Sequence, residues 1–466
     1  MLNISLKHLL LSFLSVLFVF EASGQKVLTI KDAEQIALAN YGTIKSKTNQ
    51  LNASKASLTE TKTEYYPNLS VSAQQDYGTV NSQYGPTYGY NGLSVASSGP
   101  LTGGQTWNAG FGALYLTNVN WDFFAFGRAV ERVKVQQTTV NLNQTDLAQE
   151  QFQHQVRVAG AYLNLLAAQQ LSKAGADNLR RAVDLQTVVV ARVKNGVDPG
   201  VDSSQANAEV ANARIVLTNA QETEAEQSNQ LAIYMGVDQQ VFLLDTAFVK
   251  KAPNNPDPQP QGVLTDHPTL RYFQNRINVS DEQAKYLTTL GLPTFSLFGV
   301  FQGRGSGFNS GYGSNASDYT SSYGSGVDPT RYNYLLGVGV TWNLTTILRS
   351  RYLVRSQKFT SAQYKDDYDL VSQQLSEQEL LAETRISNAL KNYNQSPQEV
   401  KAANDAYIQK YTLYKNGLAN IVDFTQALYV LNRAEVDDYI VKNNVWQALL
   451  YKAAATGDFT IFINNF

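Results

Sequence analysis

The segment NGVDPGVDSSQA, residues 195–206, recurs as NGLANIVDFTQA, residues 416–427. Matching residues lie 221 positions apart (416 − 195 = 221), and the same distance separates Trp121 from Trp342. Upstream, Pro67 recurs as Pro293 at a distance of 226 positions (293 − 67 = 226). A period of this length is far longer than a solenoid unit. The sequence therefore predicts two structurally equivalent halves that differ in the length of one loop.

The repeat divides the chain into four segments. Residues 1–24 combine a basic start, a short apolar run and small residues, which is typical of a cleaved signal peptide; an uncleaved anchor is the alternative. We expect a first structural repeat over residues 25–244 and a Pro-rich linker over residues 245–261. A second repeat is expected over residues 262–466.

The composition excludes several classes of protein. The chain has no cysteine, so it holds neither a disulfide framework nor a thiolate metal site. A net charge of −2 gives no indication of nucleic acid as a partner. The three histidines have no metal-site spacing, and no nucleophile or phosphate-loop motif is present. The sequence therefore predicts a protein that is not an enzyme and has no cofactor and no metal.

Each half shows the same order of patterns: helix, strand, loop, strand, long helix, turn, helix. After Pro67, Leu69 and Val71 alternate with polar residues, which indicates a strand. A helical pattern then runs without proline from Arg128 to Asn195, roughly 100 Å at the rise of an α-helix. A coiled-coil assembly needs such a length, whereas a globular domain does not. The matching helix of the second half is expected to be interrupted at Pro397.

The number of strands in each chain indicates how many chains must assemble. Four strands in one chain cannot close a barrel, for which about eight is the usual minimum. An open sheet in a membrane would leave its edge groups unpaired. Pooling four strands from each of three chains would give a twelve-stranded barrel, an even number as bacterial outer-membrane barrels prefer. We therefore expect a homotrimer.

Several motifs, in order and in both halves, resemble the TolC-like outer-membrane efflux proteins, or outer membrane factors. They are the segments at residues 32–40, the helix-ending prolines, the aromatic strand ends leading into Arg128 and Arg349, the Asn-Gly turns, Tyr234-Met235-Gly236 and residues 414–423. The resemblance implies a mixed α/β membrane protein, a trimeric twelve-stranded outer-membrane β-barrel continued by a long α-helical coiled-coil periplasmic tunnel. It places the chain in the bacterial outer membrane, with the tunnel extending into the periplasm.

The function implied by the resemblance is that of a passive export duct in a tripartite efflux or type I secretion system. Its expected partners are two further copies of the chain, a periplasmic adaptor (membrane fusion) protein, an inner-membrane RND or ABC pump, and outer-membrane lipid. A periplasmic coiled-coil scaffold without transport is the alternative, although it does not explain paired strands at matching points of both halves. Small-molecule efflux and polypeptide secretion use the same kind of duct, so the sequence does not distinguish between these two functions.

The resemblance also implies a periplasmic gate built from Asp202, Tyr414, Asp423 and Gln426. Tyr414 is expected to bond Asp202, and three copies of Asp423 would form an acidic ring. The alternative is that both aspartates are helix N-caps. Two departures from the family pattern leave the closed state undecided: Ala419 stands where the prototype has arginine, and Gln426 where it has a second ring aspartate.

Two further sets of residues are candidate contacts. The turns are expected to meet the adaptor, or else to serve as helix caps alone; their residues are Asn195, Gly196, Val197, Asn416, Gly417 and Leu418. Aromatic residues at the strand ends are expected at the membrane interface, or else in ordinary packing; they are Trp121, Phe123, Phe124 and Trp342.

Overall fold

A computed structural model describes residues 27–82, 89–90, 93–94, 101–246, 251, 253 and 266–465. The predicted signal peptide, residues 1–24, and most of the predicted linker, residues 245–261, lie outside the described residues. The chain divides into two compact units. A helical unit comprises Met1–Leu51, Asn143–Gln274 and Asp366–Phe466, and a strand-bearing unit comprises Asn52–Leu142 and Asn275–Lys365.

Long helices dominate the described chain. The helices are α1 (Ile30–Asn40), α2 (Gly42–Thr63), α3 (Arg128–Lys194), α4 (Gly200–Met235), α5 (Pro268–Thr289), α6 (Tyr323–Val327), α7 (Leu344–Lys415), α8 (Ile421–Thr456) and α9 (Thr460–Ile463). The strands are β1 (Asn68–Thr79), β2 (Gly89–Tyr90), β3 (Leu93–Ser94), β4 (Ala109–Phe124), β5 (Thr294–Ser306) and β6 (Arg331–Thr341). Among the residues described, no helix is both long and apolar enough to cross a membrane.

The interruption predicted at Pro397 is wrong, because α7 runs through this residue without a break. Proline removes one backbone hydrogen bond from a helix and crowds the preceding turn. Beside it, the buried Ser396 hydroxyl bonds the Asp438 carboxylate of α8. Packing and this bond hold α7 against α8 at the point where the proline weakens it.

The sheet repeats with the sequence. Its strands are antiparallel in the order β1-β4-β5-β6. Asn68 pairs with Asn120, and Thr294 pairs with Thr341. The offsets read from the sequence convert the first pair into the second (68 + 226 = 294; 120 + 221 = 341). The two hairpins therefore share one register, as two equivalent halves require.

The two faces of the sheet differ in polarity. Residues paired directly across neighbouring strands lie on the same face. One face is mostly apolar and carries Leu69, Val71, Val119, Leu297, Phe301, Tyr334 and Leu336. The other face is richer in polar groups and carries Ser70, Ser72, Asn118, Gln302 and Asn333. Apolar-out and polar-in alternation is the pattern of a transmembrane barrel.

Two buried histidines bond the last turns of the returning helices. His154 of α3 donates from Nε2 to the Tyr234 carbonyl of α4 at 2.9 Å, and Tyr41 stacks on its ring at 3.8 Å. His267 donates from Nε2 to the Ala454 carbonyl of α8 at 3.1 Å. Burial lowers the pKa of both imidazoles, which are therefore neutral in the folded chain at neutral pH.

Acidification is expected to destabilise the helical unit through these histidines. At a pH below 6.5, the ordinary pKa of histidine, His154 and His267 bind protons in the unfolded chain, whereas burial keeps both neutral in the folded chain. The free energy of unfolding therefore falls as pH decreases. The midpoint of thermal unfolding, followed by circular dichroism in detergent, should drop between about pH 7.5 and about pH 5.5. The double variant His154→Gln, His267→Gln should lose much of this dependence; an unchanged slope would contradict the assignment.

Candidate gate at the tips of the helical hairpins

Both hairpin tips have the same backbone construction. Gly196 and Gly417 have φ angles of 72° and 75°, the left-handed conformation that glycine adopts without strain. After α3, the Gly196 amide bonds the Val193 carbonyl and the next amide bonds the Arg192 carbonyl. The Gly417 and Leu418 amides repeat this pattern after α7. Each tip is thus a glycine helix cap of the Schellman type, as the sequence predicts.

Three side chains connect the two hairpins, and we call Arg192, Asp198 and Tyr414 the latch. Arg192 holds both carboxylate oxygens of Asp198, from Nε at 2.8 Å and from the terminal nitrogen at 2.9 Å. The Tyr414 hydroxyl of α7 donates to the same carboxylate at 2.9 Å. Arg192 also donates to the Lys415 carbonyl at 3.2 Å. The turn of the first hairpin is therefore bonded to the end of α7 in the second.

The predicted bond between Tyr414 and Asp202 is wrong, because the acceptor is Asp198. Tyr414 is 2% exposed and stacks on Phe424 at 5.8 Å, which fixes where its hydroxyl can reach. Asp202 lies half-buried in the first turn of α4, beyond the loop that carries Asp198. The ring packing directs the hydroxyl to the loop rather than to the helix.

Arg192 and Asp198 have no counterparts of the same chemistry in the second half of the chain. Their counterparts in the second repeat are Leu413 and Ala419 (192 + 221 = 413; 198 + 221 = 419). A search for matching residues therefore passes over both. Opposite charges placed on either side of a turn are the local signal that points to this ion pair.

The ionisation of the latch is well defined. The hydrogen bond from Arg192 holds the pKa of Asp198 below its usual range. Burial raises the pKa of Tyr414, and the bond to the Asp198 carboxylate raises it further. At neutral pH the latch thus consists of a carboxylate held between a guanidinium and a neutral phenol.

Neither Asp202 nor Asp423 is a helix N-cap. The cap of α8 is Asn420, whose side chain accepts from the Asp423 amide at 2.8 Å. At the start of α4 the cap position is Pro199, which has no side-chain bond to give. The alternative of N-cap aspartates is therefore wrong. The exposed Asp423 carboxylate pairs with Lys410 at 3.0 Å, and Gln426 is exposed one turn further along α8.

The strand-end tryptophans have matching partners. The Trp121 indole donates to the Tyr65 carbonyl at 2.8 Å, and the Trp342 indole donates to the Gly291 carbonyl at 3.1 Å. The two acceptors are related by the repeat (65 + 226 = 291). Each tryptophan thus ties a strand end to the helix-to-strand turn before its proline.

The remaining aromatic candidates lie at the same junction. The Phe123 carbonyl accepts from the Tyr65 hydroxyl at 3.0 Å. Phe124 packs against Phe126 at 4.7 Å and Phe295 at 5.9 Å but keeps about half of its surface exposed. Contact of this aromatic group with the membrane interface stays a prediction, as does contact of the tips with an adaptor. No cluster of metal-ligating side chains occurs within the described ranges.

Comparison with solved structures places this fold among outer-membrane channels. VceC of Vibrio cholerae has 15% sequence identity and a TM-score of 0.72, over 92% of this chain and 96% of VceC. The CmeC channel of Campylobacter jejuni has 13% identity and a TM-score of 0.73, over 92% of this chain and 85% of CmeC. The open state of the Neisseria gonorrhoeae MtrE channel has 14% identity and a TM-score of 0.72, over 92% of this chain and 89% of MtrE.

A family model described as outer membrane efflux protein matches residues 34–237, most of the first repeat. The resemblance to the outer membrane efflux family is confirmed. No curated protein matches the chain in sequence. The predicted fold class is confirmed, because this chain shares with the solved outer-membrane channels a mostly helical fold with one four-stranded antiparallel sheet per chain.

The match to this family also bears on two further predictions, the cellular location and the class of protein. The outer-membrane localisation, with the tunnel in the periplasm, is that of the family. Its members are transport ducts, so the prediction that the chain is not an enzyme is confirmed. At this level, the chain is similar to outer-membrane efflux channels.

Proposed function

We propose that three copies of this chain form the outer duct of a tripartite efflux or type I secretion system, and that the hairpin tips form its periplasmic gate. The duct passively conducts substrate delivered by an inner-membrane RND or ABC pump through a periplasmic adaptor. The match to the outer membrane efflux model and the likeness to solved outer-membrane channels support the duct. The observation that carries the gate is the latch, which bonds one hairpin of the chain to the other at their tips.

The latch suits a gate because it joins parts that must separate. Arg192 and Asp198 belong to the α3–α4 hairpin, whereas Tyr414 belongs to the α7–α8 hairpin. Each bond that joins the hairpins has one charged partner, and a hydrogen bond to a charged group contributes about 1.5–3 kcal/mol. Such bonds are strong enough to bias a closed state and weak enough for a docking partner to break.

The repeat indicates which hairpin contacts are latched. The counterpart of Tyr414 in the first repeat is Val193 (414 − 221 = 193). The counterparts of Arg192 and Asp198 are Leu413 and Ala419. By the repeat, these three counterparts would form the equivalent contact between hairpins of neighbouring copies, and none of them has a polar side chain. This difference supports a closed state that is held by the latch within each chain and that needs no arginine at position 419.

The exposed turn residues are the proposed adaptor contact. Val197 is 61% exposed and Leu418 is 74% exposed, so each tip presents an apolar side chain to solvent. An adaptor with helical hairpins could cover both side chains and strain the latch next to them. The double variant Val197→Asp, Leu418→Asp should abolish adaptor binding in a pull-down while leaving the duct's mass unchanged.

Channel recordings separate the duct from the alternative of a periplasmic scaffold. The purified protein in detergent should have the mass of a trimer and should insert into planar lipid bilayers with discrete conductance steps. Trimers that never conduct, including variants with a broken latch, would contradict the duct and favour the scaffold.

Asp423→Asn is expected to weaken cation selectivity in these recordings. Three copies of the exposed carboxylate face one another if the tips surround an axis, and together they attract cations. The amide removes the charge and keeps the side-chain size, and Asn420 still caps α8. Reversal potentials in a salt gradient and block by multivalent cations are the measurements.

A matched variant at the same site should change cation selectivity in the opposite direction. Lys410 pairs with Asp423 at 3.0 Å and offsets part of its charge. Lys410→Gln should therefore increase cation selectivity. If both variants keep the wild-type reversal potential, Asp423 does not line the conducting path.

A further inference from the structure

The edges of the sheet and the internal repeat together specify how neighbouring copies join. Strands β1 and β6 are the two edges, and their outer ladder groups have no partner strand within the described chain. Inside the chain, β4 of the first half pairs with β5 of the second half. The equivalent junction between copies brings β6 of one copy against β1 of the next.

The register inside the chain predicts the register between copies. Thr117 of β4 pairs with Phe301 of β5. The repeat converts these residues into Val338 of β6 and Gln75 of β1 (117 + 221 = 338; 301 − 226 = 75). We propose that β6 pairs antiparallel with β1 of the next copy so that Val338 lies opposite Gln75, Leu336 opposite Tyr77 and Val340 opposite Ala73. The partner is a second copy of this chain.

The two faces of the sheet agree with this register. Leu336 shares the apolar face with Leu69, through Val119 and Gly299. Tyr77, eight residues along β1 from Leu69, lies on that face too, because alternate residues share a face. A slip by one residue would turn every apolar side chain of one copy toward the polar face of the next. A slip by two residues preserves the faces, so experiment must separate it from the proposed register.

A polar contact at the periplasmic end of the strands follows the same rule. Within the chain, the Ser296 hydroxyl donates to the Asp122 carboxylate at 2.6 Å. The repeat places Asn343 opposite Ser70 of the next copy (122 + 221 = 343; 296 − 226 = 70). The Ser70 hydroxyl already donates its one hydrogen to the Asn118 side chain, so in this contact it is the acceptor and the Asn343 amide group is the donor. The contact is thus preserved with donor and acceptor exchanged.

Cysteine cross-linking tests the register directly, because the natural chain has no cysteine. Directly opposed residues alternate between closer and wider pairs along a ladder, so one pair from each face is needed. The variants are Leu336→Cys with Tyr77→Cys on the apolar face, and Leu335→Cys with Gly78→Cys on the polar face. Mild oxidation of the assembled protein should yield covalent trimers on a denaturing gel without reductant for at least one pair, since each chain carries both cysteines.

Slipped pairs are the matched controls. Leu336→Cys with Gln75→Cys, and Leu336→Cys with Thr79→Cys, report registers displaced by two residues in either direction. Stronger cross-linking of either slipped pair, or no cross-linking of any pair in trimers of correct mass, would overturn the proposed register. The proposal rests on the trimeric duct, so mass and conductance are recorded for each variant before oxidation, which distinguishes a wrong register from a failed duct.

Discussion

Tyr414→Phe raises the resting conductance of the duct if the latch holds the gate. The substitution removes the hydroxyl that bonds Asp198 at 2.9 Å and leaves the ring stacked on Phe424. A hydrogen bond to a charged partner contributes about 1.5–3 kcal/mol, and three are lost in each trimer. Single-channel recording in planar bilayers should therefore show more frequent or longer openings without applied adaptor.

Asp198→Asn should have a larger effect on conductance than Tyr414→Phe. It removes the charge that holds both Arg192 and the phenol, and leaves the guanidinium without its ionic partner. Tyr411→Phe is the matched control, because Tyr411 lies on the same helix and packs on Phe424 at 5.6 Å. Closed wild-type-like channels in both latch variants would mean that the tip residues are structural and the gate lies elsewhere.

The latch should also be insensitive to mild acid. Because Arg192 lowers the pKa of Asp198, the stabilising charge is present above the ordinary carboxyl pKa and is lost only as pH falls through the lowered value. Resting conductance of the wild type should thus change little between about pH 8 and about pH 5. The pH dependence therefore distinguishes the latch from the two buried histidines, because their effect on thermal stability is expected within this pH range.

The second large effect is expected in the barrel. Gly337→Ala places a methyl group 2.4 Å from the ring atom Cζ of Phe298, which covers this glycine from β5. Overpacking of this kind costs about 1–3 kcal/mol, and closure of the barrel repeats it in three copies. We expect fewer heat-resistant trimers on denaturing gels and a lower midpoint of thermal unfolding.

Two variants show whether the ring is the cause. At Gly339 a methyl group would lie 3.7 Å from its nearest neighbour, an atom of the same ring, so Gly339→Ala should be tolerated. Phe298→Ala combined with Gly337→Ala should restore assembly, because it removes the clashing atoms. If the double variant assembles as poorly as Gly337→Ala alone, the glycine is required for another reason.

The elements that repeat were predictable from the sequence, and those that diverged were not. Equal halves, the long helices and both glycine caps follow from periodicity and matched motifs, and the shared register of the two hairpins follows from the offsets. The latch was missed because Arg192 and Asp198 match Leu413 and Ala419 in the second repeat. The helix break at Pro397 was predicted from local propensity, which the contacts of α7 with α8 override.

The one-sided latch has a genetic consequence. Since Leu413, Ala419 and Val193 offer no replacement, a single altered residue removes a bond that the other half of the chain cannot restore. Each chain nevertheless carries its own complete latch, so a cell producing normal and altered chains would assemble mixed trimers with three, two, one or no intact latches. Leakiness should then rise in steps with the share of altered chains, and an altered allele should be partly dominant over the normal one.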